Sequence, residues 1–225
     1  MAAAEKNIRL SPSSLGLFRE CPRCFWLQIN EGIHRPSGPF PSLPGGMDLV
    51  IKDYFDFWRI KNELPPEIRG KVSGKLFYDL ATLKKWRNWR TGLTYEDKES
   101  GGILSGALDD CVVDDDLYAP LDYKTRGYPP KENGHKFYQG QMDAYTLLLN
   151  ANGYPIKNLA YLVYYFPKKV EENGVVHFNV EVKEMKTDLE NAKKELKKAV
   201  GVLKSVLPAK HSECAFCSWG EHNID

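Results

Sequence analysis

The stretch at 106–124, G-A-L-D-D-C-V-V-D-D-D-L-Y-A-P-L-D-Y-K, decides how the rest of the chain is read. Two runs rich in apolar and β-branched residues flank Asp114, Asp115 and Asp116, so the spacing predicts a hairpin turning on those aspartates. With the reversal centred on Asp115, residues whose numbers sum to about 230 face each other, and Asp109 and Asp122 become near cross-strand neighbours, roughly 5 Å apart. At an effective dielectric near 20 their repulsion is about 3 kcal/mol, a heavy penalty for a marginally stable fold unless a cation or a proton offsets it. A hard divalent ion does so, because magnesium prefers oxygen ligands and takes one or two carboxylates plus waters and substrate phosphate. Lys124 projects from the same strand face as Asp122, where an ammonium can orient an attacking water and neutralise phosphate charge. The same spacing also fits an acidic cluster beside a turn with Lys124 as its surface counter-charge. Asp110 and the three turn aspartates read as turn or solvent residues.

Working outward, 93–96, 103–113 and 117–123 read as three strands of an antiparallel meander. A helix is expected over 136–152, closed by Gly153. Strands follow at 159–166 and 175–182. A last helix opens at a capping box of Thr187 and Glu190 and buries Leu189, Ala192, Leu196, Ala199, Leu203 and Val206. Upstream, a capped helix starts at Ser11 with Leu15, Leu17 and Phe18 on its apolar side. A proline- and glycine-rich loop covers 32–46, and Val50, Ile51, Tyr54, Phe55 and Trp58 mark one face of a helix over 47–61. A further helix is expected over 75–90, with Lys84, Lys85, Arg87 and Arg90 set among Trp86 and Trp89. Such a face suits a nucleic-acid backbone or plain solvent. The order of elements indicates an α/β domain with a mixed sheet flanked by helices.

The composition is compatible with this reading and narrows the alternatives. The 225 residues are 42% hydrophobic and 27% charged, enough for a sizeable core and unlike collagen, disordered or disulfide-framework chains. No apolar run reaches the length needed to cross a bilayer, and the first ten residues carry charges where a signal peptide is apolar, so a soluble, cytoplasmic protein without membrane contact is expected. Thirty-one Lys and Arg against thirty Asp and Glu leave a net charge of +1, so nucleic-acid binding needs local patches.

Four of the five cysteines form two CxxC pairs, Cys21 with Cys24 and Cys214 with Cys217. In a reducing compartment this spacing supplies four thiolates to a metal centre, and both zinc and an iron–sulfur cluster accept that set. Binding across the chain would clasp its two ends together. Cys111, without a partner, reads as a small buried strand residue.

Together, G-x-x-D ending at Asp109, D-x-K at Asp122 to Lys124, and Q-x-x-x-Y at Gln141 to Tyr145 resemble the PD-(D/E)XK nuclease superfamily. The segment from Ser11 to Arg23, ending C-P-R, and the late cysteines are similar to its RecB-like branch, whose nucleases include CRISPR-adaptation exonucleases and the nuclease domain of bacterial AddB helicase subunits. The resemblance implies a restriction-endonuclease-like core and a metal-dependent DNA exonuclease of repair, recombination or CRISPR adaptation, with proteins of those systems as partners. It implies that Asp109, Asp122 and the backbone carbonyl of Tyr123 hold Mg2+ or Mn2+, with Lys124 as the catalytic lysine and Gln141 and Tyr145 beside it. Asp48 stands where relatives carry a histidine, as a third ligand or as an acid suited to the first turn of its helix. Cys21, Cys24, Cys214 and Cys217 would bind a [4Fe–4S] cluster, with Zn2+ as the alternative, although two cysteines at each end depart from the one-and-three pattern of that branch. One nuclease domain over 1–225 is expected, with 1–31 and 208–225 as the clasp and 47–207 as the catalytic core. A nuclease fold that binds nucleic acid without cutting it is the rival reading.

Overall fold

Two aspartates with positive φ, Asp115 at 48° and Asp116 at 62°, reverse the chain in a two-residue turn. Positive φ at both central positions is the primed geometry whose twist matches that of paired strands, and aspartate tolerates it better than most residues. The computed structural model describes residues 8–38 and 42–219. The outer ends of the expected clasp, 1–7 and 220–225, lie outside the described residues, as do 39–41 in the proline-rich loop.

In chain order the strands are β1 (Ile8–Leu10), β2 (Lys75–Leu76), β3 (Leu93–Asp97), β4 (Gly102–Gly106), β5 (Asp110–Asp114), β6 (Leu117–Thr125), β7 (Leu159–Val170) and β8 (Val176–Lys186). The helices are α1 (Pro12–Glu20), α2 (Pro22–Asn30), α3 (Ser42–Ile60), α4 (Leu80–Trp86), α5 (Gln139–Ala151), α6 (Leu189–Leu203) and α7 (Ala215–Trp219). The main sheet has the order β2-β5-β6-β7-β8, and a smaller one the order β1-β4-β3. Only β6 and β7 run parallel in the main sheet, with α5 in the connection between them. This is the mixed α/β architecture expected of a restriction-endonuclease-like core.

Strand β7 is buried on both faces, which explains its nearly unbroken apolar run. Ala160, Leu162, Tyr164 and Phe166 join the larger core with α5 and α6. Tyr161, Val163 and Tyr165 join a second core with Ile51 and Phe55 of α3. Edge strand β8 is mostly half-buried and alternates accordingly.

Four expectations need correction. The run at 103–113 is not one strand. Gly106 packs so tightly on α5 that a Cβ there would lie 2.8 Å from Leu148. Beyond it the Leu108 amide bonds Trp86 O at 3.0 Å, and Asp109 O accepts from Arg87 Nε at 2.7 Å. The backbone thus leaves one sheet, pairs with helix α4 and its flank, and enters the other sheet as β5, so there is no meander. The helix over 75–90 shrinks to α4, because Lys75 and Leu76 pair with β5 and Asp79 caps the helix by accepting from Thr82 N at 3.0 Å. Helix α3 begins earlier than expected, at Ser42, since Pro44 is tolerated in a first turn whose amides need no partners. The last helix is capped by Asp188 rather than Thr187, and Val206 lies beyond its end, 87% exposed.

Candidate active site

The hairpin register pairs Asp110 with Leu121, so Asp109 and Asp122 stand one step beyond the ladder, opposite each other. Asp122 lies in mid-strand on the α5 side of the sheet and is 1% exposed, whereas Asp109 precedes β5 with its side chain 23% exposed. Lys124, two residues along the same strand face, places Nζ 2.5 Å from Asp122 Oδ2 and 3.3 Å from Gln141 Oε1. Gln141, in the first turn of α5, donates to Asp122 Oδ1 at 3.3 Å and to the Tyr145 hydroxyl at 2.8 Å. The i, i+4 spacing of Gln141 and Tyr145 thus puts both on one helix face turned toward the acids.

Two further side chains complete the cluster, and sequence reasoning missed both. Lys52 of α3 bridges Asp48 Oδ2 at 2.7 Å and Asp109 Oδ1 at 2.9 Å. Its i, i+4 relation to Asp48 was the available signal. The Tyr138 ring lies 4.6 Å beneath Lys124 Nζ, a cation–π contact with no sequence signature. Asp48 joins the cluster through Lys52, and it sits past the first turn of α3, so the expected helix-dipole role does not apply. The Tyr123 side chain points to the opposite face, donating to Asp110 and packing against Phe55 with ring centroids 4.6 Å apart.

The electrostatics are lopsided. Burial pushes the Asp122 carboxyl up to about 7; Lys124 opposes the shift and the neighbouring Asp109 adds to it. Burial works against the charge of Lys52, but Asp109 and Asp48 outweigh it and hold the ammonium above its usual range. Burial, then Asp122 and Asp109, drives the Tyr145 phenol far up, so it stays neutral while its hydroxyl accepts from Gln141. Within the site the polar contacts of Asp122 come from side chains, Lys124 at Oδ2 and Gln141 at Oδ1. A buried carboxyl beside a second acid is a donor set that fits a divalent cation.

Asp110, expected in solvent, is instead fully buried. Arg59 Nη2 donates to its two oxygens at 2.8 and 2.6 Å, Arg87 reaches it at 3.2 Å, and Arg87 also holds Asp56 at 2.7 and 3.0 Å. This network ties α3, α4 and β5 together directly behind the acidic pair. Arg87 is therefore a structural cation with its side chain 11% exposed, while Trp89 on the same segment is 73% exposed.

At the chain ends, the four cysteines converge. Cys21 ends α1 and caps α2, accepting from Cys24 N at 3.4 Å. Cys21 Sγ lies 3.6 Å from Cys217 Sγ and Cys24 Sγ 3.7 Å from Cys214 Sγ, and all four sulfurs fall within 4.8 Å of one another. They could hold a metal. Burial raises the Cys24 thiol to about 12. Against its own burial, Cys214 is pulled down to about 6, chiefly by the Cys217 amide and the adjoining thiols. No helix is long and apolar enough to cross a membrane among the described residues.

Comparison with known proteins adds one family. No curated protein matches the chain. The solved structure titled "Crystal structure of SSO0001" is 13% identical over 98% of this chain and 88% of that one, with a TM-score of 0.49. A family model described as the PD-(D/E)XK nuclease superfamily matches residues 58–221. That span is well over half of the chain and holds Asp109, Asp122, Lys124, Gln141 and Tyr145, with Asp48, Lys52, Cys21 and Cys24 ahead of it. The chain belongs to the PD-(D/E)XK nuclease superfamily.

Proposed function

We propose that this chain is a metal-dependent deoxyribonuclease working as one domain, an exonuclease of DNA repair, recombination or CRISPR adaptation. The observation that carries the reading is the convergence of Asp109, Asp122, Lys124 and Gln141 on one spot, with the Asp122 carboxyl buried and held by Lys124 and Gln141. Nucleases of this superfamily use divalent metals, and Asp109 and Asp122 would hold Mg2+ or Mn2+ here, with the Tyr123 carbonyl and Asp48 as further ligands. When bound, the ion supplies polarisation of the phosphate and a more acidic water.

The chain's own groups do the positioning. Lys124, pinned between Asp122 and Gln141 and partly exposed, donates to the incoming water or to a phosphate oxygen as negative charge builds. Gln141 fixes Asp122, and Tyr145 fixes Gln141. Water gives up a proton to solvent as its oxygen bonds to phosphorus, the bridging P–O bond breaks, and the leaving alkoxide takes up a proton from solvent. An open cleft beside the site, lined by Leu17 and Arg19 of α1 and by Lys136, Phe137, Tyr138 and Gln141, suits a nucleic-acid strand. Lys136 is exposed and Phe137 is 72% exposed, a cation and a stacking surface side by side. Arg126 and Lys131 would reach the backbone nearby.

One observation favours the rival reading, a nuclease fold that binds without cutting: Lys52 already supplies a cation to Asp109 and Asp48. Incubation of end-labelled single- and double-stranded DNA with and without Mn2+ separates the two. Metal-dependent shortening from an end, lost in Lys124→Ala and Asp109→Ala, supports the proposal. Binding without cleavage in either metal refutes it.

A further inference from the structure

We infer that the four cysteines hold a single zinc-class ion in a tetrahedral four-thiolate site, not an iron–sulfur cluster. A tetrahedral zinc with Zn–S bonds near 2.3 Å puts its sulfurs about 3.8 Å apart. The Cys21–Cys217 and Cys24–Cys214 sulfur pairs, at 3.6 and 3.7 Å, match that edge, and all six pairs lie within 4.8 Å. A cubane gives each thiolate its own iron corner, which spreads the four sulfurs to roughly 6 Å from one another. The cage here is too small for that. The cluster implied by the resemblance therefore does not fit the residues as they are placed.

The surroundings agree with a compact, strongly negative centre. Four thiolates around a divalent ion carry two net negative charges. Arg35 Nη2 lies 3.7 Å from Cys214 Sγ, while Nη1 is held by Glu20 at 2.6 Å and the guanidinium stacks 4.6 Å over the Phe216 ring. One cation of the surrounding shell thus faces the sulfurs. Both halves of the cage also have local scaffolds suited to a small ion. Cys24 follows Cys21 in the first turn of α2, and the Cys217 amide bonds Cys214 O at 3.0 Å, so each CxxC presents its two sulfurs to one point. An ion with no redox chemistry makes this a staple joining segments some 190 residues apart.

The full chain is expressed in medium supplied with both iron and zinc and purified without oxygen. Elemental analysis is expected to find about one zinc per chain, the visible spectrum to be blank, and zinc-edge X-ray absorption to show one sulfur shell near 2.3 Å without a metal neighbour. The Arg35→Met variant is expected to lose zinc to a chelator about tenfold more readily than the parent. A brown protein absorbing at about 400 nm with several irons and labile sulfide per chain overturns the inference, as does a protein that carries no metal.

Discussion

Lys52 Nζ sits 2.9 Å from Asp109 Oδ1, so an acid expected to hold a metal is already paired with a cation from another element. The pairing sets a competition. Replacing Lys52 by Met removes the rival charge, and Mn2+ affinity measured by calorimetry is expected to tighten several-fold, on the order of 1 kcal/mol for a partly exposed pair. Unchanged affinity would mean that the ammonium leaves the acids without cost.

Asp122 makes metal-free stability fall as pH rises. Its carboxyl titrates near 3.8 when unfolded and about 7 in the fold, so between those values the native state keeps a proton the unfolded chain has lost. Stability from this group is full below about pH 4 and gone above about pH 7. Mn2+ is therefore expected to raise Tm more at about pH 8 than at about pH 5.5, because at the lower pH a proton holds its place. In Asp122→Asn both the slope and the metal effect should vanish from thermal scans.

Lys124 and Gln141 should separate by role. Lys124→Ala is expected to lower kcat by about 10² to 10⁴ without weakening metal binding, since its ammonium also competes for Asp122. Gln141→Ala, which frees Asp122 from its orienting donor, should weaken metal binding by about tenfold and lower kcat less. Equal effects of both variants on metal affinity would contradict the division.

Asp110 tests the buried network rather than the chemistry. Asp110→Ala leaves Arg59, 5% exposed, with its longer contact to Asp56 at 3.3 Å as the remaining ion pair, and is expected to cost about 3–5 kcal/mol in denaturant unfolding. A loss under about 1 kcal/mol would show that water compensates the arginine.

Much of the main sheet was legible because local signals agreed with tertiary structure: three aspartates at a turn, two-sided burial in β7, and a helix-period stripe in α6. The pairing of Asp109 with Asp122 followed from the turn alone. What sequence reading missed depended on contacts between distant segments. Nothing near Gly106 announces that Leu148 presses on it and diverts the chain into a second sheet. Asp110 resembles its neighbouring turn aspartates until Arg59 and Arg87 arrive from α3 and α4. The tight spacing of the cysteine sulfurs is likewise a property of two chain ends meeting, which CxxC spacing cannot express.

Cys21 is both the last anchor of α1 and the cap of α2, and nine-residue α1 runs from it to the cleft beside Gln141. Arg19, two residues before that anchor, lies so close to Gly140 that a Cβ there would strike its guanidinium. Helix α1 therefore runs from the sulfur cage along the wall of the cleft, with Leu15 buried in the core. Loosening the cage would tilt the wall a bound strand must pass, and a lesion far from Asp122 would be felt as a misshapen entrance.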